Sequence, residues 1–124
     1  MRSSIIGGAV AIMAALAPIA FASDDEVRAS GKCTGASSAK IKLKPDDGRL
    51  EVEFEVDQNK SGQRWTVKLK DNSDVVFRGR ATTRGPSGSF SIERKIPDQS
   101  GSGSVKGVAR NKSTDERCSA AASI

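Results

Sequence analysis

The sequence has no histidine and no tyrosine, and its 124 residues include one tryptophan and two cysteines. Without histidine the chain cannot build Ser-His-Asp or Cys-His nucleophilic machinery, or any zinc site that requires imidazole. Such a small number of aromatic rings also argues against a carbohydrate-binding platform, which needs exposed rings. We therefore predict a protein that is not an enzyme and that has no catalytic residues, no cofactor and no metal.

The amino terminus has the features of a secretory signal peptide. An apolar run follows Arg2 and ends at Ala20-Phe21-Ala22, which places small residues before a cleavage point. An uncleaved membrane anchor is the alternative, because about 20 apolar residues can span a bilayer. The small residues at the end of the run, and the acidic residues that follow it, favour cleavage. The protein is therefore predicted to be secreted and extracellular, with no membrane span after cleavage.

The remaining chain is short enough for one domain. We assign residues 1–22 to the signal, 23–27 to a disordered acidic amino terminus and 28–124 to a single β-sandwich domain. Arg2 is the one basic residue of the signal, so 19 basic and 15 acidic residues remain and the net charge is +4. The low content of large apolar residues predicts a modest core. The small net charge and the strong patterning argue against disorder.

Cys33 and Cys118 are the only cysteines, so a disulfide has one possible connectivity. Export would place both thiols in an oxidising compartment, where paired cysteines normally join. The chain-entropy model gives a loop of this length roughly 4–5 kcal/mol of stabilisation. A redox pair is the alternative, but redox cysteines usually lie close together, and these are 85 positions apart. We predict a structural bridge between the first and last strands.

Alternating polarity from residue 27 onward predicts about seven to eight short strands separated by turns. Residues 50–57 place apolar side chains on one face and acidic side chains on the other, as in a half-buried strand. Trp65 shares a face with Val67 and Leu69, so core packing is favoured over an exposed ring that stacks on sugar. The expected fold is all-β, an antiparallel β-sandwich of the immunoglobulin-like kind.

One strand pairing is predicted from charge. Residues 50–57 and 64–70 would form a hairpin in which Val56 lies opposite Trp65. In that register the glutamates of the first strand face the lysines of the second, and such opposite-charge pairs stabilise a sheet.

Arginines concentrate in the second half of the chain, at Arg78, Arg80, Arg84, Arg94 and Arg110. Arg78 and Arg80 are predicted to share one strand face, and Arg84 follows in the next loop. Guanidinium groups bind carboxylate and phosphate bidentately, so Arg78, Arg80 and Arg84 form a candidate anion-binding site for an anionic cell-wall polymer. An ordinary solvated basic face is the favoured interpretation. Nucleic acid is not expected, because the net charge is small and no nucleic-acid-binding motif is present.

Acidic residues carry two weaker alternatives. Glu51, Glu53 and Glu55 could supply paired carboxylates for acid–base catalysis, but their face is expected to be open to water. The Asp- and Asn-rich turns 46–48, 57–59 and 71–74 could hold calcium, but none matches the spacing of a calcium loop. Charged surface and ordinary turns are the favoured interpretations.

Three stretches carry a resemblance, namely KPDDGRLEVEFEVD at 44–57, GQRW at 62–65 and RATTRGPSGSF at 80–90. In these the chain resembles a group of uncharacterised small secreted proteins of high-GC Gram-positive bacteria. The resemblance runs from about residue 31 to 124, including both cysteines. It implies export and a disulfide-closed β domain, and it implies no activity and no functional residues.

The sequence leaves two kinds of role open. The first is a secreted, non-catalytic sandwich that binds anionic ligands or proteins at the cell envelope or outside the cell. The alternative is an inhibitor of an extracellular hydrolase, which would present loop 82–89 or loop 98–104 in a preorganised form to an extracellular protein.

Overall fold

The computed structural model describes residues 25–97 and 103–124, so the proposed signal peptide lies outside the described residues. The described residues form strands joined by turns and contain no helix. The strands are β1 (Val27–Ser30), β2 (Lys32–Cys33), β3 (Ser38–Asp46), β4 (Arg49–Asp57), β5 (Arg64–Asp71), β6 (Asp74–Thr82), β7 (Ser89–Pro97), β8 (Ser104–Asn111) and β9 (Arg117–Ser123).

These strands form two antiparallel sheets, which confirms the all-β fold. One sheet has the order β1-β3-β4-β7, and the other has the order β2-β9-β8-β5-β6. The described residues contain more strands than the sequence predicted, because the chain leaves one sheet after Ser30 and enters the other at Lys32. Gly31 makes this crossing possible, since a Cβ at this position would lie 2.0 Å from the carbonyl oxygen of Ser119. The first strand begins at Val27, inside the segment predicted to be disordered.

The two sheets enclose one apolar core. Phe54 and Trp65 are its largest fully buried side chains, and Trp65 is therefore a core residue. The Trp65 ring lies 6.0 Å from that of Phe90, centroid to centroid. Phe54 of β4 packs across the sandwich on Gly107 of β8, where a Cβ would come within 2.6 Å of the ring. The apolar faces predicted by the alternation are thus the inner faces of the two sheets.

The predicted hairpin between residues 50–57 and 64–70 is wrong. β4 lies between β3 and β7, whereas β5 lies between β6 and β8 in the other sheet. Residues 58–63 connect the two sheets and do not form a hairpin turn. β4 instead pairs with β3 through the two-residue turn Asp47-Gly48, where both residues have positive φ (51° and 78°). This is the turn geometry that matches the twist of a hairpin.

The disulfide between Cys33 and Cys118 is confirmed. The two residues lie directly opposite each other in β2 and β9, with their Cα atoms 4.0 Å apart. The N–H of Thr34 donates to the carbonyl of Arg117, so the cysteines occupy the neighbouring, non-hydrogen-bonded position, where Cα atoms approach most closely. The bridge joins the second strand, not the first, to the last, because β1 precedes Gly31.

Candidate anion-binding face

The structure separates the predicted arginines into a strand pair and a loop residue. Arg78 and Arg80 both lie exposed on the outer face of β6, at the edge of the five-stranded sheet. Arg84 lies in the connection to β7, where its N–H donates to the carbonyl of Ser89. Arg80 and Arg84 line a common shallow depression of about 450 Å³. The loop arginine therefore lies at the border of the face that carries the other two.

The neighbouring strands add further cations to this outer face. Lys68 lies directly opposite Arg78 in the β5–β6 ladder, and Arg110 lies opposite Thr66. A groove of about 610 Å³ runs over these strands, bordered by both predicted strand arginines, Arg110 and Arg117. We define the basic face by its outward-pointing cations: Lys32, Lys68, Lys70, Arg78, Arg80, Lys106, Arg110 and Arg117.

Like charges are direct neighbours on the basic face. Lys70 lies opposite Lys106 in the β5–β8 ladder, and Arg110 lies opposite Arg117 in the β8–β9 ladder. Cations directly opposite each other destabilise a sheet where no anion lies between them. The opposition of Lys70 and Lys106 therefore lowers the stability of the free protein and leaves both cations available to an external anion.

The outer face of the four-stranded sheet also has opposed like charges, Arg28 with Lys42 and Glu53 with Glu93, but these cations contact carboxylates. The Lys42 Nζ lies 3.0 Å from a Glu53 oxygen, and the Lys40 Nζ lies 3.5 Å from a Glu55 oxygen. The hydrogen bond from Lys42 lowers the pKa of Glu53, and the same bond raises the pKa of Lys42. Lys44 continues the alternation opposite an acidic residue of β4. Lysines on this sheet are thus matched with carboxylates.

Asp115 is the carboxylate that contacts the basic face. It lies in the turn between β8 and β9, and its Oδ1 accepts a hydrogen bond from Nε of Arg110 at 2.9 Å and forms an ion pair with Nη2 of the same arginine at 2.7 Å. Nη2 of Arg117 lies 3.8 Å from the same oxygen. The hydrogen bond from Arg110 lowers the pKa of Asp115 below its ordinary value.

Two other basic or acidic features do not form sites. Arg94 belonged to the predicted arginine concentration, but it lies over the ring of Phe77, 4.3 Å from the centroid, away from the basic face. Glu53 and Glu55 of β4 line an open depression of about 390 Å³ beside Lys40 and Lys42, and the hydrogen bond from Lys42 outweighs burial and lowers the pKa of Glu53. A face of this kind lacks the burial that would raise a carboxyl pKa for acid catalysis.

One cluster of metal-ligating side chains occurs within the described ranges. It consists of Cys33, Cys118 and Glu116. The two sulfurs are bonded to each other. The Glu116 carboxylate accepts hydrogen bonds from the backbone N–H and the hydroxyl of Ser37. The two cysteines and Glu116 therefore have structural roles, as a disulfide and as a hydrogen-bond acceptor for Ser37.

Arg78, Arg80 and Arg110 of the predicted arginine concentration belong to the basic face, but its lysines were not predicted to lie beside them. Lys68 and Lys70 were correctly placed on the outward side of their strand, but the wrong hairpin matched them with glutamates. Turn length could have shown the correct pairing of β5. The four-residue turn 71–74 after β5 is shorter than loop 58–63 before it, and short turns favour hairpins, here between β5 and β6. With that pairing, Lys68 falls beside Arg78.

Comparison with known proteins gives no family for this fold and face. No protein-family model, no curated protein and no solved structure matches the chain. Within residues 25–97 and 103–124 there is no apolar helix of membrane-spanning length.

Proposed function

We propose that the protein is a secreted, non-catalytic β-sandwich that binds an extended anionic polymer of the cell envelope through the basic face. The observation that carries this proposal is the difference between the two sheets. Both sheets contain opposed cations, but lysines of the four-stranded sheet form ion pairs with carboxylates, whereas among the described cations of the five-stranded sheet only Arg110 and Arg117 do so. A domain with a thin core gains no stability from that second arrangement.

The spacing of the cations favours a polymer over a small anion. Arg78 and Arg80 are two residues apart on a strand, a separation of roughly 6.6 Å, and neighbouring strands lie about 4.8 Å apart. The groove is open along the sheet, so several anionic groups of one chain can contact it together. Arginine forks bind phosphate or carboxylate bidentately and lysines add point charges. Phosphodiester and polycarboxylate chains share this chemistry.

Export supports the envelope as the place of action. The disulfide fits an oxidising, extracellular compartment. The predicted signal peptide at residues 1–22 would direct export of the protein, and its cleavage stays a prediction. The immunoglobulin-like classification of the sandwich is likewise still a prediction.

The test is retention of residues 23–124 on three immobilised polymers: polyphosphate, polygalacturonate and an uncharged dextran. We expect retention on one or both polyanions and none on dextran, with affinity falling steeply as salt rises, because bound polymer releases counterions. Comparing the two polyanions identifies the anionic group. The predicted class is wrong if neither polyanion retains the protein at low salt, or if duplex DNA binds more tightly than both.

A pair of double variants locates the binding surface. Arg78→Ala/Arg80→Ala removes two charges from the basic face, and Lys40→Ala/Lys44→Ala removes two charges from the four-stranded sheet. We expect Arg78→Ala/Arg80→Ala to reduce polyanion affinity at least tenfold. The slope of log affinity against log salt concentration should become shallower by about two units, one for each lost anion contact. If both double variants lose the same affinity, net charge and not the basic face causes retention.

Inhibition of an extracellular hydrolase is the second candidate. Loop 82–89 favours it in one respect, because buried Thr83 fixes the loop at its base. The Thr83 hydroxyl donates to the carbonyl of Lys60 at 2.6 Å and accepts the N–H of Gln63 at 2.9 Å. The carbonyl of Arg84, however, accepts the N–H groups of Gly88 and Ser89, so the loop folds back on itself. An extended protease-binding segment would leave that carbonyl free.

The inhibitor candidate has its own experiment. Residues 98–102 of the other predicted loop lie outside the described residues. An excess of the protein is added to a panel of secreted proteases and glycosidases, with and without polyanion. Unchanged rates across the panel would reject inhibition.

A further inference from the structure

Asp115 has a special position on the basic face. Of the ion pairs formed by described residues, only those of Asp115 involve a member of this face. Arg110 and Arg117 lie directly opposite each other, and both guanidinium groups approach the same carboxylate oxygen. Two arginines converging on one oxygen anion form the arrangement that would hold an anionic group of a ligand.

The turn that carries Asp115 presents its carboxylate in a fixed place. The N–H of Asp115 donates to the carbonyl of Asn111 at 2.7 Å, and the N–H of Asn111 donates to the carbonyl of Glu116 at 2.9 Å. The side-chain oxygen of Asn111, which is fully buried, accepts the N–H groups of Ser113 and Thr114. Asp115 has φ of 62°, a conformation that asparagine and aspartate tolerate better than other side chains with a Cβ.

The contacts of Asp115 are open to replacement. The side chains of Arg110, Arg117 and Asp115 are 49%, 61% and 64% exposed. Ion pairs this exposed are weak, because water solvates both partners and both side chains lose rotamer freedom. A polymer that brings its own anion to the two arginines can therefore displace the carboxylate without unfolding the turn.

We infer that Asp115 is a built-in competitor for one anion subsite of the basic face, formed by Arg110 and Arg117, and that the ligand's anionic group replaces it. This inference rests on the proposed function, since it concerns how the same face is regulated. Asp115 also limits repulsion between the two arginines in the free protein. It thereby keeps the subsite assembled and weakens binding of anions that contact only this point.

The test is the pair of single variants Asp115→Asn and Asp47→Asn. Both replace an exposed aspartate at positive φ by asparagine, and both raise the net charge by one. Asp47 lies in the β3–β4 turn of the other sheet, so it controls for charge and for backbone effects. On the polyanion that retains the wild type, we expect Asp115→Asn to bind about two- to fivefold more tightly than Asp47→Asn, the effect of removing one exposed ion pair. Its salt dependence should be steeper by about one unit.

A second measurement separates failure of this inference from failure of the proposed function. Arginine Nε–H resonances are followed by NMR while inorganic phosphate is added. The Arg110 and Arg117 signals should shift at lower phosphate in Asp115→Asn than in the wild type or in Asp47→Asn. If Asp115→Asn matches Asp47→Asn in both measurements, or binds polyanion more weakly, Asp115 is not a competitor. If phosphate reaches the arginines more readily in Asp115→Asn but no variant binds a polymer, the subsite stands and the polymer function fails.

Discussion

Gly107→Ala tests the packing of the two sheets on each other. Gly107 lies on the inner face of β8, and the ring of Phe54 from β4 covers it. A Cβ would meet two ring atoms of Phe54 at 2.6 Å and a third at 2.9 Å. Carbon atoms in contact normally lie about 3.5–4.0 Å apart, so the ring would have to move by about 1 Å. Phe54 is fully buried, and such a shift disturbs the whole core.

The size of the effect follows from two opposing contributions. Replacing glycine by alanine restricts the unfolded chain and stabilises a protein by about 0.4–1 kcal/mol where the native site accepts the methyl group. Overpacking a well-filled core costs about 1–3 kcal/mol. We expect a net loss of about 1–2 kcal/mol, which lowers the melting temperature by roughly 4–15 °C in a domain of this size.

Urea unfolding of Gly107→Ala, Gly103→Ala and the wild type provides the measurement. Gly103 is the matched control, because among the described residues a Cβ there meets one side-chain oxygen at 3.6 Å and nothing closer. Gly103→Ala should be neutral or slightly stabilising. In Phe54→Leu, which removes the ring, adding Gly107→Ala should cost less than it does in the wild type. A Gly107→Ala protein more stable than the wild type would show that Phe54 does not cover Gly107 and would contradict this packing of the two sheets.

The other predictions concern the bridge and the charges. Replacing both Cys33 and Cys118 by alanine should lower the free energy of unfolding by about 3–5 kcal/mol in urea titrations, because the bond closes a long loop; a loss below about 1 kcal/mol would contradict this entropic role. Lys42 and Ser91 hold the pKa of Glu53 below its ordinary value of 4.5, so its stabilising contribution is present above that pH and is lost as pH falls through the lowered pKa. As pH falls, the free energy of unfolding of Glu53→Gln should therefore decrease less than that of the wild type. Parallel plots of unfolding free energy against pH would contradict the ion pair. Lys68→Glu should raise stability by about 0.2–1 kcal/mol, because it places a carboxylate opposite Arg78, while it weakens polyanion binding. Loss of both stability and binding would show that Lys68 has a structural role.

The parts of the fold that the sequence predicted depend on local chemistry. Asp47 and Gly48 adopt positive φ at low cost, so they form a tight turn wherever alternating strands flank them. The alternation in residues 50–57 decided which side chains are buried, and the buried set includes Leu50, Val52, Phe54 and Val56. With only two cysteines in the chain, the bridge could be paired without knowledge of the strand order.

Strand order depends on choices that alternation does not make. β4 and β5 both present apolar inner faces and charged outer faces, so they could pair side by side or face each other across a core. A β4–β5 hairpin was predicted because glutamate faces lysine in that register. In the structure the glutamates of β4 lie opposite the lysines of β3, which occur at alternate positions as Lys40, Lys42 and Lys44. Charge matching thus identified the kind of partner correctly but chose the wrong strand.

This error and the candidate site have the same origin. Once β3 supplies the lysines for β4, the lysines of β5 have no carboxylates left to face, and they lie between strands that add arginine and lysine. The chain can match cation with anion, because it does so along β3 and β4. Exposure to water alone therefore does not explain why β5, β6, β8 and β9 carry opposed cations. Self-repulsion across a ladder lowers stability, and proteins commonly carry such a cost where function requires it. An external polymer that supplies the missing anions would remove the repulsion, so binding should also stabilise the fold.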